Sequence, residues 1–179
     1  MLFFTADTHF DHTNIIRYSN RPFADVKDMN EALIRNWNSK ISANDDVYHL
    51  GDFCFSSRGN QFLSRLNGRK HLILGNHDKQ VNISHGWESI QPYKEIYCHV
   101  GGKKQMIVLC HYAMRVWNKR HHNSWMLYGH SHGSLPDDPN ALSFDIGVDC
   151  HNYMPLDVAE VERIMRKKNS VPVDHHGRK

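Results

Sequence analysis

Two stretches decide how this chain is read: Val47-Tyr48-His49-Leu50-Gly51-Asp52 and His71-Leu72-Ile73-Leu74-Gly75-Asn76-His77-Asp78. Each begins with a short apolar-rich run of the length expected for a buried strand. Each then reaches a glycine, which lets the chain turn sharply and approach a neighbour closely. Each ends in polar side chains able to bind a ligand. The same grammar recurs on either side: Leu2–Thr5 runs into Ala6-Asp7-Thr8-His9, residues 105–110 end at His111, and Trp125–Tyr128 runs into Gly129-His130-Ser131-His132. Residues 142–146 and 96–100 are further strand candidates.

Helical periodicity lies between some of these runs. Residues 28–41 place Met29, Leu33, Ile34, Trp37 and Ile41 on one face. Residues 57–66 repeat the pattern with Phe62, Leu63 and Leu66, and Asn67-Gly68 stops them. A last helix opens after Asp157, where Asp157 and Glu160 form a capping-box pair ahead of Val161, Ile164 and Met165. Residues 118–124 and 136–140 read as loops. Strands alternating with helices, then several strands in succession, predict an α/β sandwich in preference to one parallel sheet. The expected organisation is one domain over residues 1–168 and a disordered basic tail over 169–179.

Composition narrows the class. With 40% hydrophobic and 23% charged residues, the chain is neither collagen-like nor disordered in bulk. No apolar run approaches the roughly 20 residues that a membrane helix needs. Residues 1–7 lack the basic opening of a secretory signal, and the four cysteines form no CxxC pair, so a reduced, cytoplasmic setting is expected. The formal charge of +3 is unevenly placed. Residues 163–179 hold six basic groups against Asp174, whereas the other 162 residues hold 16 basic and 18 acidic groups. The slightly acidic body offers little counterion-release drive, so nucleic acid is not the favoured partner. The excess left to explain is the 15 histidines.

Five of them collect at strand ends. His9, His77, His111, His130 and His132 join Asp7, Asp52 and Asn76 there, and ligand sites in α/β folds gather at the carboxyl ends of strands. Carboxylate and amide oxygens with imidazole nitrogens, and no thiolate, suit Mn²⁺, Fe or Zn²⁺. These eight side chains exceed the needs of one tetrahedral ion, and two ions sharing a carboxylate account for seven of them. Two divalent ions against Asp7 and Asp52 leave surplus positive charge, which favours an anionic phosphoester over a neutral amide.

In these motifs the chain resembles the calcineurin-like metallophosphoesterase superfamily, in its small, cap-less bacterial or phage-type form. The resemblance spans about residues 3–149 and rests on Asp7-x-His9, Gly51-Asp52, Gly75-Asn76-His77-Asp78, His111 and Gly129-His130-x-His132 in that order. It implies a four-layer αββα sandwich of two mixed β-sheets flanked by helices. It implies that Asp7, His9 and His132 hold one divalent ion, that Asn76, His111 and His130 hold the other, and that Asp52 bridges them. Mn²⁺ is favoured, with Fe, Zn²⁺ or Ni²⁺ as alternatives. His77 corresponds to the catalytic histidine, Asp78 would orient it, and a metal-held hydroxide would attack phosphorus in line with the leaving group.

The implied activity is phosphoric ester hydrolysis, with a diester favoured over a monoester and a nucleotide among the eligible substrates. The alternatives are a non-catalytic metal-binding scaffold of the same fold, or a nuclease acting with a partner subunit. Cys110 precedes His111 where the family more often has glycine, and a small core residue is favoured there over a thiolate ligand. Between His9 and Asp52 lie 42 residues that bring His12, Arg17 and Arg21 near the first metal loop. Arg17 and Arg21 either clamp a substrate phosphate or pair with Asp11, Asp25 or Asp28. His12 either acts directly on substrate, or supports a ligand through a hydrogen bond or lies on the surface, the last two being favoured. Asp145 and Asp149 are expected to be structural or to support ligands.

Overall fold

Phe3 and Phe4 are neighbours in a strand, so their side chains leave opposite faces, and both are buried. Phe3 packs with Met29, Leu33 and Trp37, and Phe4 packs with Ile107, Leu127 and Phe144. The strand that carries them, β1 (Leu2–Thr5), therefore sits between two layers. The structure is a computed structural model that describes residues 1–79 and 85–177, so Arg178 and Lys179 of the basic tail lie outside the described residues.

In chain order the further elements are α1 (Thr13–Tyr18), α2 (Val26–Lys40), β2 (Asp46–His49), α3 (Gly59–Leu63), β3 (Arg69–Ile73), β4 (Ser89–Gln91) and β5 (Tyr93–Val100). They continue with β6 (Lys103–Cys110), β7 (Trp125–Tyr128), β8 (Ser143–Asp145), β9 (Leu156–Asp157) and α4 (Val158–Met165). One sheet has the order β4-β3-β2-β1-β9 and the other β5-β6-β7-β8. Both are mixed: β9 runs antiparallel to β1, and β5 antiparallel to β6, among otherwise parallel neighbours. The expected two-sheet α/β sandwich is what the chain adopts.

Alternation along the strands builds the layers. On β6, Ile107 and Leu109 enter the core between the sheets, while Met106, Val108 and Cys110 enter a third cluster on the outer face. Cys110 is thus core. Helix α2 covers the outer face of the first sheet because Met29, Leu33, Ile34 and Trp37 recur at helical spacing and are all buried. Asp25 caps it by accepting from Asp28 N at 2.8 Å, an arrangement worth about 1 kcal/mol. The capping box of Asp157 and Glu160 starts α4, whose Val161 and Met165 close one end of the inter-sheet core.

Some details differ from the pattern read in the sequence. The helix expected over 57–66 is regular only over Gly59–Leu63. Helix α1 and strands β4 and β9 were not anticipated; at two to six residues they are too short for periodicity to reveal. The outer face of the second sheet is covered by Met114, Trp117 and Ala141, and the loop over 118–124 contains a 3₁₀ turn at Arg120–His122. Residues after α4 fold back: Asn169 N donates to Pro139 O at 2.7 Å and Val171 N to Asn140 O at 3.0 Å. No helix among the described residues is long and apolar enough to cross a membrane.

Candidate metal centre

Strands β1, β2 and β3 of one sheet and β6 and β7 of the other all end toward one floor. Their ladders continue into the loops, where Asp7 N donates to Gly51 O at 3.0 Å, His9 N to Asp52 O at 3.0 Å and Gly129 N to His111 O at 2.9 Å. The chain turns within these loops through left-handed backbone, with φ of 58° at Asp7, 49° at His9, 57° at Asp52, 67° at His130 and 48° at His132. Non-glycine residues seldom adopt this conformation, and clusters of them mark functional sites. The glycines allow the close approach: a Cβ at Gly51 would lie 2.5 Å from His111 Nδ1, and one at Gly129 would lie 2.6 Å from Asp7 Oδ2.

The seven ligand-type side chains form two groups about Asp52. In the first, Asp7, His9 and His132 bring one ligand atom each to within 4.8 Å of one another, and Asp52, His111 and His130 do so in the second. Asn76 Oδ1 joins the second group at 3.1 Å from His111 Nε2 and 3.0 Å from His130 Nδ1. Asp52 Oδ2 lies between the groups, 3.6 Å from both His9 Nε2 and His111 Nε2. Its other oxygen accepts from His77 N at 2.8 Å. Asp7, His9, Asp52 and His111 are buried, while Asn76 and His130 are exposed and His77 and His132 partly so. The result is a bowl with a buried base and an accessible rim.

Outer contacts fix which imidazole nitrogen turns inward. His111 Nδ1 donates to Leu50 O at 2.7 Å and His132 Nδ1 to Asp149 Oδ2 at 2.7 Å, which leaves each Nε2 a lone pair directed at the site. His9 Nδ1 is 3.3 Å from His12 Nδ1. His9 Nε2 and Asp7 Oδ1 are buried without a hydrogen-bond partner, and such atoms are costly unless something else satisfies them. Burial, reinforced by the charges of Asp145 and Asp52, holds the Asp7 carboxyl well above its ordinary pKa. Burial likewise pushes His9 well below the usual histidine value, aided by His132 and Arg21. Orphaned oxygen and nitrogen atoms, and a carboxylate that resists ionising alone, are what a divalent cation would satisfy. The donor set fits such ions, and the residues that could hold them are the seven named.

Other expected site residues fall into different places. Arg21 is a correction. Its guanidinium is buried and every N–H is engaged: Nε and Nη2 reach Asp149 at 2.8 Å each, Nη2 also reaches Asp7 O at 2.7 Å, and Nη1 reaches Thr8 O at 3.0 Å and Met29 Sδ at 3.4 Å. It cannot also clamp a phosphate, and its partner is Asp149, not Asp11, Asp25 or Asp28. Arg17 is exposed on α1, its Cζ 5.4 Å from the Tyr18 ring centroid. His12 stacks on Phe55 with centroids 4.0 Å apart, beside His9.

Asp78, expected to orient His77, uses both oxygens on main-chain donors: Asp52 N at 2.7 Å, Gly75 N at 2.8 Å and Phe53 N at 3.0 Å. It binds the two glycine-turned loops to each other. Asp145 acts similarly, accepting from Gly147 N at 2.8 Å and Gly133 N at 3.0 Å. The Arg21–Asp149–His132 chain was not foreseen, since Asp149 carried only a general expectation of support. The spacing of Asp145 and Asp149 behind the last strand was its only trace in the sequence.

Comparison with known proteins agrees with this geometry. The chain is 31% identical over 175 residues to an uncharacterized protein of Methanocaldococcus jannaschii, covering 93% of this chain and 92% of that one. A crystal structure of a protein of unknown function from Aquifex aeolicus shares the fold, with a TM-score of 0.68 at 24% identity over 92% of this chain and 98% of that one. Residues 1–142 match the sequence profile of the calcineurin-like phosphoesterase superfamily domain. Motif order, two-sheet fold and profile converge: the chain belongs to the calcineurin-like phosphoesterase superfamily.

Proposed function

We infer that the protein is a two-metal phosphoesterase whose preferred substrate is a phosphodiester. The observation that carries the reading is the position of Asp52 Oδ2, 3.6 Å from an imidazole nitrogen of each ligand group. A carboxylate oxygen so placed could serve both groups. Asp7, His9 and His132 would hold the first ion with Asp52, and Asn76, His111 and His130 would hold the second. Divalent ions in this setting neutralise phosphoryl charge and make water nucleophilic near neutral pH. Mn²⁺ is the favoured occupant, because oxygen and imidazole donors without thiolate suit it.

The residues of the chain divide the remaining work. Asp7, His9, Asp52 and His111 form the buried base, which keeps the ligands oriented and their charges poorly screened. Asn76, His77, His130 and His132 form the accessible rim, where a phosphoryl group enters. His77 protonates the departing oxygen, and its main chain is tied to Asp52 Oδ1 at 2.8 Å, so the acid and the bridging ligand move together. The open rim accepts a second ester substituent on phosphorus, which supports the preference for diesters and admits nucleotides among the substrates. Four free thiols agree with a cytoplasmic setting.

The test is hydrolysis of bis-p-nitrophenyl phosphate by the Mn²⁺-loaded protein, with metal content measured alongside. Asp52→Asn is expected to lose both metal and turnover. His77→Ala is expected to keep its metal and lose turnover by 10²–10⁴-fold, the usual contribution of a general acid. Wild-type turnover in both variants would overturn the reading. Metal binding with no hydrolysis across a panel of monoesters and diesters would favour a scaffold instead.

A further inference from the structure

Four histidines outside the strand-end loops meet on the outer side of the second sheet. The 3₁₀ turn Arg120–His122 exposes His121 and His122, and the segment after α4 returns to it with Asp174, His175 and His176. That return is anchored by the Asn169 and Val171 main-chain bonds already described and by the Arg120 side chain, whose Nη2 donates to Val171 O at 3.1 Å. Arg120 is itself held over the Trp117 ring, 4.8 Å from its centroid. The two segments therefore meet where main-chain bonds hold the returning chain to the loop at Pro139 and Asn140 and the Arg120 side chain ties it to the turn.

What they assemble is a donor set. Asp174, His175 and His176 offer one ligand atom each, all within 4.8 Å of one another. The His121 ring stacks on His176 with centroids 3.6 Å apart and planes 16° apart, and His175 lies 3.9 Å from His176. His122 adjoins His121 at 4.1 Å. Imidazoles packed this closely repel one another when protonated. Neutral imidazole is the form that binds metal.

We propose that Asp174, His175, His176 and His121 form a separate metal site that takes one Zn²⁺, Ni²⁺ or Cu²⁺ ion and clasps the C-terminal segment to the turn Arg120–His122. Three imidazoles and a carboxylate match the four-coordinate preference of Zn²⁺ and the late end of the first transition row, and suit Mg²⁺ or Ca²⁺ poorly. Asp174 is half-buried but the imidazoles are exposed, so the rings swing from stacked to chelating positions at little cost in packing. Binding there closes a long loop that otherwise hangs on a few hydrogen bonds.

The experiment is equilibrium dialysis of the full chain against Zn²⁺ alone, with bound metal counted by mass spectrometry. The double variant H121A/H176A is expected to bind one equivalent fewer than the parent. The same one-equivalent difference is expected in an Asp52→Asn background, which separates this site from the catalytic one. Hydrolysis of bis-p-nitrophenyl phosphate by H121A/H176A should match the parent. Zn²⁺ should also protect the bonds after Lys167 and Lys168 from trypsin in the parent but not in the variant. Equal stoichiometry in parent and variant would overturn the site, and equal proteolysis with and without Zn²⁺ would overturn the clasp.

Discussion

Arg21 and His132 hold the same carboxylate oxygen: Asp149 Oδ2 lies 2.8 Å from Arg21 Nη2 and 2.7 Å from His132 Nδ1. Burial pushes the Asp149 carboxyl upward, but the hydrogen bonds from His132 and Arg21 outweigh it and hold the group below its ordinary pKa. A stable anion behind His132 fixes the tautomer and raises the basicity of the nitrogen that faces the site. Asp149→Asn is therefore expected to fold and to bind Mn²⁺ roughly 10–100-fold more weakly. Arg21→Met leaves the buried Asp149 carboxylate with the His132 bond but without its fixed positive charge, and should cost up to about 3 kcal/mol of stability. Urea unfolding of the metal-free variants and Mn²⁺ titration separate the two effects. Unchanged Mn²⁺ affinity in Asp149→Asn would show that His132 needs no such support.

Asp7 gives a prediction of the opposite sign. Its folded-state pKa is raised by burial and by Asp145 and Asp52. In the unfolded chain the group ionises near pH 4, so the metal-free fold loses stability as pH climbs above that value. Asp7→Asn removes the penalty. The variant should melt higher than the parent when both are metal-free at pH 7, yet gain less when Mn²⁺ is added. Scanning calorimetry with and without Mn²⁺ measures both. A variant that melts lower than the parent in the metal-free state contradicts the argument.

His49 supplies a pH dependence from a buried group outside the seven ligand-type residues. It is fully buried, its Nε2 bonded to Thr8 Oγ1 at 2.9 Å, and burial lowers its pKa to about 3. Between the unfolded value near 6.5 and that folded value, acid protonates only the unfolded chain. Stability contributed by neutral His49 is therefore complete at pH 7 and falls by about 1.4 kcal/mol per pH unit as pH drops below 6.5. His49→Gln should lose about 1 kcal/mol less than the parent between pH 7 and pH 5.5, by that same linkage. Denaturant titrations at the two pH values decide it, and identical pH slopes would mean that His49 titrates normally.

How much of this was legible beforehand depends on range along the chain. The apolar face of α2 and the capping box of α4 are local patterns, and both were readable. So were the five strand ends, because an apolar run followed by a ligand-type side chain, with a glycine between them in three cases, is also a local signal. Arg21 was misread because its partner Asp149 lies 128 positions away, while Asp11, Asp25 and Asp28 stand nearby. Asp11 is in fact engaged by Arg58 and Ser56, at 2.7 and 2.6 Å. Only tertiary placement decides among such partners. The cluster of His121 with His176 was hidden for the same reason, its halves lying on either side of β7, β8 and α4.

Gly75 tests the closeness of the loops. A Cβ there would lie 2.7 Å from Asp52 N and would also strike Asp52 Oδ1. Neither atom can yield without displacing the Asp52 carboxylate. Gly75→Ala is expected to lower turnover by about 100-fold, the usual effect of an error near 1 Å in a catalytic group. Steady-state kinetics on bis-p-nitrophenyl phosphate give the answer, and near-parental turnover would mean that Asp52 tolerates the shift.

The left-handed backbone at Asp7, His9, Asp52, His130 and His132 bears on how such a protein evolves. At each of these positions glycine is the conformationally easy residue, and a ligand side chain persists there only under selection for its chemistry. A mutant library sorted for folding alone should drift toward glycine or asparagine at the five sites and lose activity as it does so. The same library sorted for turnover should hold all five, so that stability and catalysis pull the same codons in opposite directions.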